Sequence, residues 1–172
     1  MTKFRKLKAD EIECRIGQIK DNGLTLLLYK NARCDMNILD ETVGAENWFR
    51  DHKELKGNMY CGVGIYNSQT KQVVWKWDCG AESNTEAEKG EASDSFKRAC
   101  VNWGIGRELY TAPFIWIKAE DCNIKNAGGK FRCYDRFSVG KLTYAENGDI
   151  DGLAIINETT KRPVFVKMPD NK

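Results

Sequence analysis

Residues 91–110 read EASDSFKRACVNWGIGRELY, and the interpretation of the whole chain hangs on them. Ala92, Phe96, Ala99, Cys100 and Trp103 follow one another at spacings of 4, 3, 1 and 3, which predicts one buried stripe of an amphipathic helix. Gly104 and Gly106 then open a turn that carries Arg107 and Tyr110. Lys97 and Arg98 stand side by side off the stripe and are expected to project from the core together. A rigid helix offering two adjacent cations beside an aromatic suits a polyanionic backbone. It is poorly suited to making or breaking bonds.

Upstream, residues 58–67 alternate, with Met59, Cys61, Val63 and Ile65 on one face and Tyr60, Gly62, Gly64 and Tyr66 on the other. After the turn residues 67–71, Val73 to Cys79 returns with Val73, Trp75 and Trp77 on one face. Before this hairpin, Ile12, Ile16 and Ile19 fall at helical spacing between Asp10 and Asp21, and Asn22-Gly23 reads as a stop. Leu24 to Lys30 reads as a strand. Asn31 is a plausible N-cap for a helix bearing Ala32, Met36, Leu39 and Val43 and closed by Gly44. A loop with Trp48 and His52 follows. Past the helix, Pro113 to Lys118 reads as a strand, then hairpins over Phe131–Val139, Lys141–Ala145, Gly152–Asn157 and Val164–Val166, with a tight Asn147-Gly148 turn. The expected class is α+β, an antiparallel sheet with helices on one face and extra C-terminal β-hairpins.

One domain is expected over residues 1–172, with a core at about 10–118 and a β-rich extension at about 130–168. A net charge of +2 does not by itself announce a nucleic-acid binder, but its distribution is uneven. Acids crowd Glu82, Glu86, Glu88, Glu91 and Asp94, while bases gather near the N-terminus, around residues 97–107, and through Lys118 to Arg136. The seven cysteines lack a Cys-x-x-Cys spacing and His52 is the single histidine, which argues against a zinc site. Cysteines on apolar faces act as small hydrophobes. No signal-peptide pattern opens the chain and no apolar run is long enough to span a membrane, so the cytoplasm and reduced thiols are expected.

The segment from Leu26 to Tyr110 resembles the Rad52/Rad22 family of single-strand annealing proteins, in particular its phage Sak-like branch. The matching pieces are Tyr29-Lys-Asn-Ala-Arg33, Leu39-Asp-Glu-Thr-Val-Gly44 with Trp48, the hairpin, and residues 89–106, KGEASDSFKRACVNWGIG. The resemblance implies a β-β-β-α core that assembles into a homo-oligomeric ring, with single-stranded DNA in a basic groove and its bases left outward. Lys97 and Arg98 match the family's adjacent basic pair and Arg33 matches a groove arginine, while Ala45 stands where some members carry an aromatic. The DNA-binding set expected on these grounds is Lys97, Arg98, Arg33, Arg107, Lys30, Tyr110 and Arg132. No cofactor, metal or catalytic residue is expected, and an exonuclease or single-strand-binding protein is a possible partner in a bacterial host.

Plainer readings stand beside these. Lys97 and Arg98 could form a solvated helix face, Arg107 and Tyr110 could cap the helix and pack the turn, and Arg33 could pair with Asp40 or Glu41. Arg132, Tyr134 and Arg136 alternate, either to hold a strand of nucleic acid or as a solvent face. Trp75, Trp77 and Trp103 read as core or subunit-seam residues. A nuclease would set Asp78, Glu82, Glu86, Glu88 and Glu91 around magnesium. A module recognising duplex nucleic acid would share the β-β-β-α order.

Overall fold

Met59, Cys61, Val63 and Ile65 line the inner face of the middle strand of a three-stranded antiparallel sheet, β3 (Trp48–Leu55), β4 (Asn58–Asn67) and β5 (Gln72–Cys79). The computed structural model describes residues 2–80 and 87–169, with the side chains of residues 87–89 left out. The expected α+β class is what it shows. The chain divides into two compact units, Met1–Lys6 with Lys30–Arg107, and Leu7–Tyr29 with Glu108–Lys172.

In the first unit, helix α1 (Ala32–Val43) is capped by Asn31, whose side chain accepts from the Cys34 amide at 3.0 Å, and ends at Gly44. Its buried stripe is Cys34, Asp35, Ile38 and Leu39, rotated from the expected Ala32–Met36–Leu39–Val43 line because a partnered carboxylate lies inside. Helix α2 (Ala87–Trp103) packs on β4 and β5. Phe96, Ala99 and Cys100 are buried, as the stripe predicted, and Ser95 joins them by donating to the Ala92 carbonyl.

Trp48–Leu55 is a strand, not the expected loop. The side of it facing α2 carries Arg50 and His52, both still exposed. In the fold, Arg50 lies 5.1 Å over the Phe96 ring, and His52 meets the Ala92 carbonyl at 3.3 Å. On the outer face Trp75 and Trp77 stack at 5.8 Å. Gly62 and Gly64 lie beneath them: a Cβ at either would come within 2.6 Å and 2.8 Å of the indoles.

The second unit holds a six-stranded sheet in the order β11-β10-β9-β1-β2-β6. Its strands are β1 (Glu13–Lys20), β2 (Gly23–Tyr29), β6 (Ile115–Lys118), β9 (Phe137–Tyr144), β10 (Ile150–Asn157) and β11 (Arg162–Lys167). Strands β7 (Ile124–Ala127) and β8 (Lys130–Cys133) form a separate hairpin. The expected helix over Asp10–Asp21 is therefore corrected to a strand after a short 3₁₀ turn, Ala9–Glu11. A bulge explains the misleading spacing: Ile16 pairs with Leu26 and Ile19 with Leu24, so three steps on β1 oppose two on β2. Thr25 Oγ1 accepts the freed Gln18 amide at 2.9 Å. Asn22-Gly23 then turns a hairpin rather than stopping a helix.

Burial raises the thiols of Cys14 and Cys61 to about 11, and that of Cys100 further still, so these groups remain protonated at neutral pH. They fill space, as the sequence suggested.

Candidate nucleic-acid interface

Helix α2 is fixed along its length before it offers anything to a ligand. Glu91 accepts the Met59 amide at 2.7 Å, and a Cβ on Gly80 would come within 2.4 Å of the Glu91 carbonyl, so strand end and helix are in backbone contact. Trp103 donates from Nε1 to the Val63 carbonyl at 2.9 Å. Lys76 sits 4.5 Å over the Trp103 ring and donates to the Asn102 carbonyl at 2.8 Å. The helix cannot roll on the sheet without breaking these bonds.

Lys97 and Arg98 leave this helix on different flanks. Lys97 is 3.7 Å from Asp94 with 19% of its side chain exposed, and its charge reaches Asp35 of α1. Arg98 is 46% exposed and donates to Asp78 of β5 at 3.2 Å. The expected joint projection is thus a splayed pair. Asp78 also accepts from Asn102 at 3.2 Å. The Arg98–Asp78 pair lies where solvent screens it, so a phosphate can compete with the acid for Arg98.

Arg33 is exposed in the first turn of α1, and the pairings considered for it are taken: Asp40 accepts from Trp48 Nε1 at 2.7 Å, and Glu41 binds Arg5 at 2.6 Å. Lys30 is a different case. It is 4% exposed, paired with buried Asp35, and donates to the Lys97 carbonyl at 3.4 Å. Gly106, at φ +71, covers it so closely that a Cβ would fall 2.3 Å from Lys30 Cε. Unlike the other cations of the expected set, Lys30 has an enclosed ammonium, and it braces α1 against the backbone that carries Lys97. Burial lifts the Asp35 carboxyl to about 6, with Lys30 and then Lys97 opposing that rise. Asp35 Oδ2 has no hydrogen-bond partner among the described residues.

Arg107 caps the helix. Its guanidinium donates to the Val101 carbonyl at 3.0 Å and to Asn102 at 3.3 Å. With Lys76 it lines a cleft of about 590 Å³ that includes Tyr66, Asn102 and Trp103. Both cations answer the negative end of the helix dipole there. Lys76 escaped the sequence reading because it lies between two tryptophans; the signal was a polar residue on the inward side of an apolar strand.

Tyr110 and Arg132 belong to the second unit, both exposed. Arg132, Tyr134 and Arg136 do not share a strand face, because β8 ends at Cys133. Arg132 and Tyr134 do meet, guanidinium to hydroxyl at 3.4 Å. Of the acids weighed for a metal, Asp78 and Glu91 are engaged as described. Glu82 and Glu86 lie outside the described residues, as does the side chain of Glu88. Among the described residues no group of three or more His, Cys, Asp or Glu could hold a metal ion.

The model of the Rad52/22 family double-strand break repair protein matches residues 4–127. The chain belongs to the Rad52/22 family. No curated protein and no solved structure matches it. Membership places the chain among DNA-binding proteins of recombination and repair. No described helix is long and apolar enough to cross a membrane.

Proposed function

We propose that this Rad52/22 family chain binds single-stranded DNA and anneals complementary strands without nucleotide hydrolysis, as a homo-oligomer of the phage Sak-like kind acting in a bacterial cytoplasm. One observation carries the reading: a helix locked to its sheet bears exposed Arg98 on one flank and partly exposed Lys97 on the other. Backbone contacts of this kind give affinity without reading sequence, which is what annealing requires. Two phosphates per subunit bind weakly, and repetition around an assembly makes them tight. An exonuclease or a single-strand-binding protein is the partner class that would supply or clear its substrate.

The outer sheet face is our choice for the subunit seam. Phe49, Leu55, Tyr66 and Trp75 are exposed there, and its charges, Asp51 and Lys53, pair with each other at 3.6 Å. An apolar, self-neutralised face suits a second copy better than DNA. Converting Trp75 and Trp77 to Ser is expected to shift the native assembly to smaller species in light scattering; an unchanged mass rejects this face as the seam.

The function itself is tested by mixing two complementary labelled oligonucleotides with the protein in EDTA and no nucleotide, then checking strand length. Accelerated annealing with intact strands is expected. Single-strand binding without acceleration would reject annealing, shortened strands would point to a nuclease, and tighter binding to duplex would favour the double-strand reading.

A further inference from the structure

We propose that the outward face of the β7–β8 hairpin is a second nucleic-acid contact. In it Lys125, Lys130 and Arg132 grip the phosphates of a single strand and Tyr134 stacks on one of its bases. This rests on the reading of the chain as a single-strand binder and adds a site in the second unit. The family match ends at residue 127, so β8 lies beyond it.

Gly128 and Gly129 turn the hairpin with φ of +61 and +83, the pattern of a mirror-image two-residue turn. That fixes the register: Lys125 faces Arg132, and Ala127 faces Lys130. Ile124, Phe131 and Cys133 are half-buried, whereas Lys125, Lys130 and Arg132 are exposed. Below the hairpin, Asp135 accepts from both the amide and the side chain of Asn123 at 2.9 Å, and from Asn157 at 2.9 Å. The base is clamped and the cationic face points outward.

The charge is uncompensated. Residues 124–133, IKNAGGKFRC, contain no acid, and among the described residues none of the three cations has an ion-pair partner. Of the flanking acids, Asp135 serves the asparagines, Glu120 binds Lys118 at 3.3 Å, and Asp121 lies before the hairpin, beside Cys122. Ordinary solvated faces mix both signs. Like charges placed directly opposite across an antiparallel pair disfavour the free hairpin, and a polyanion laid across them reverses that sign. Tyr134 is 72% exposed and tied to Arg132 by its hydroxyl, leaving its ring open. A ring so presented suits an unstacked base, which a single strand offers and a duplex hides.

The test uses the full chain and fluorescent oligothymidylate. Lys125→Gln/Lys130→Gln/Arg132→Gln should make the salt dependence shallower by about 2 log units per decade of salt per engaged subunit, from roughly 0.7 per phosphate. Tyr134→Ala should weaken binding roughly 5- to 100-fold on oligothymidylate, yet leave an abasic strand of equal length unaffected. With the unmodified protein, a 4-thiothymidine strand should crosslink to residues 125–134, a readout independent of variant folding. Wild-type salt dependence in the triple variant, with crosslinks confined to 30–107, overturns the hairpin site while leaving single-strand binding intact. Loss only on duplex overturns the single-strand assignment. A wild-type protein that ignores single strands sinks both readings.

Discussion

Replacing Lys30 with alanine is expected to lower unfolding free energy by about 3–5 kcal/mol, the usual cost of stranding one member of a buried ion pair. Lys30 and Asp35 are enclosed between α1, the end of α2 and Gly106. Without the ammonium, the Asp35 carboxylate loses its paired charge and keeps only the weaker influence of Lys97, and Gly106 faces a void. Replacing both residues, Lys30→Met with Asp35→Leu, should recover most of the loss, because two apolar side chains need no partner.

The pH dependence gives an independent check. In the folded protein Asp35 titrates near 6, above its ordinary value near 3.8, because burial disfavours the ionised form. A carboxyl raised in the native state binds more protons there than in the unfolded chain. Its contribution is therefore greatest below pH 3.8 and declines as pH rises towards 6. Lys30→Ala removes an interaction that lowers the folded value, so the decline extends to higher pH. The deficit against wild type should be larger at pH 7.5 than at 4.5 in urea unfolding followed by tryptophan fluorescence. A deficit below about 1 kcal/mol, equal at both pH values, would mean the pair carries no such role.

How far the sequence revealed the fold depended on whether a segment used a single period. Strand β4 and helix α2 each keep one periodicity, and their buried faces were legible: Cys61, Val63 and Ile65 on one, Phe96, Ala99 and Cys100 on the other. Strand β1 does not, because a bulge between Ile16 and Ile19 turns an alternating pattern into a helical-looking one. Strand β3 was hidden by polar residues on its side facing α2, whose partners, the Phe96 ring and the Ala92 carbonyl, come from a helix some forty residues on. The same limit applies to the cations. Composition marks Lys30, Lys97 and Arg98 alike, but only tertiary packing separates the enclosed Lys30 from the other two. Local acid spacing was a poor guide to Arg33, because Asp40 and Glu41 find partners in Trp48 and Arg5.

Lys97→Ala/Arg98→Ala is expected to weaken binding to every single-stranded sequence alike while leaving the fold in place. The stability cost should be below about 1 kcal/mol, since the Arg98–Asp78 pair is solvent-exposed and Asp78 keeps Asn102. The binding cost is larger for two reasons. Each lost cation removes about 0.7 from the salt slope, so the pair removes about 1.4 per engaged subunit. The carboxylates of Asp94 and Asp78 also remain, and they repel the backbone that Lys97 and Arg98 had drawn in. Between 50 and 200 mM salt, wild-type affinity should fall roughly sevenfold more steeply per engaged subunit than that of the variant. Because Lys97 and Arg98 diverge toward α1 and β5, the single substitutions should each carry about half of the slope rather than one carrying all of it. A double variant with the wild-type slope would remove both residues from the path of the DNA. An unequal split would show that the strand follows one flank of α2.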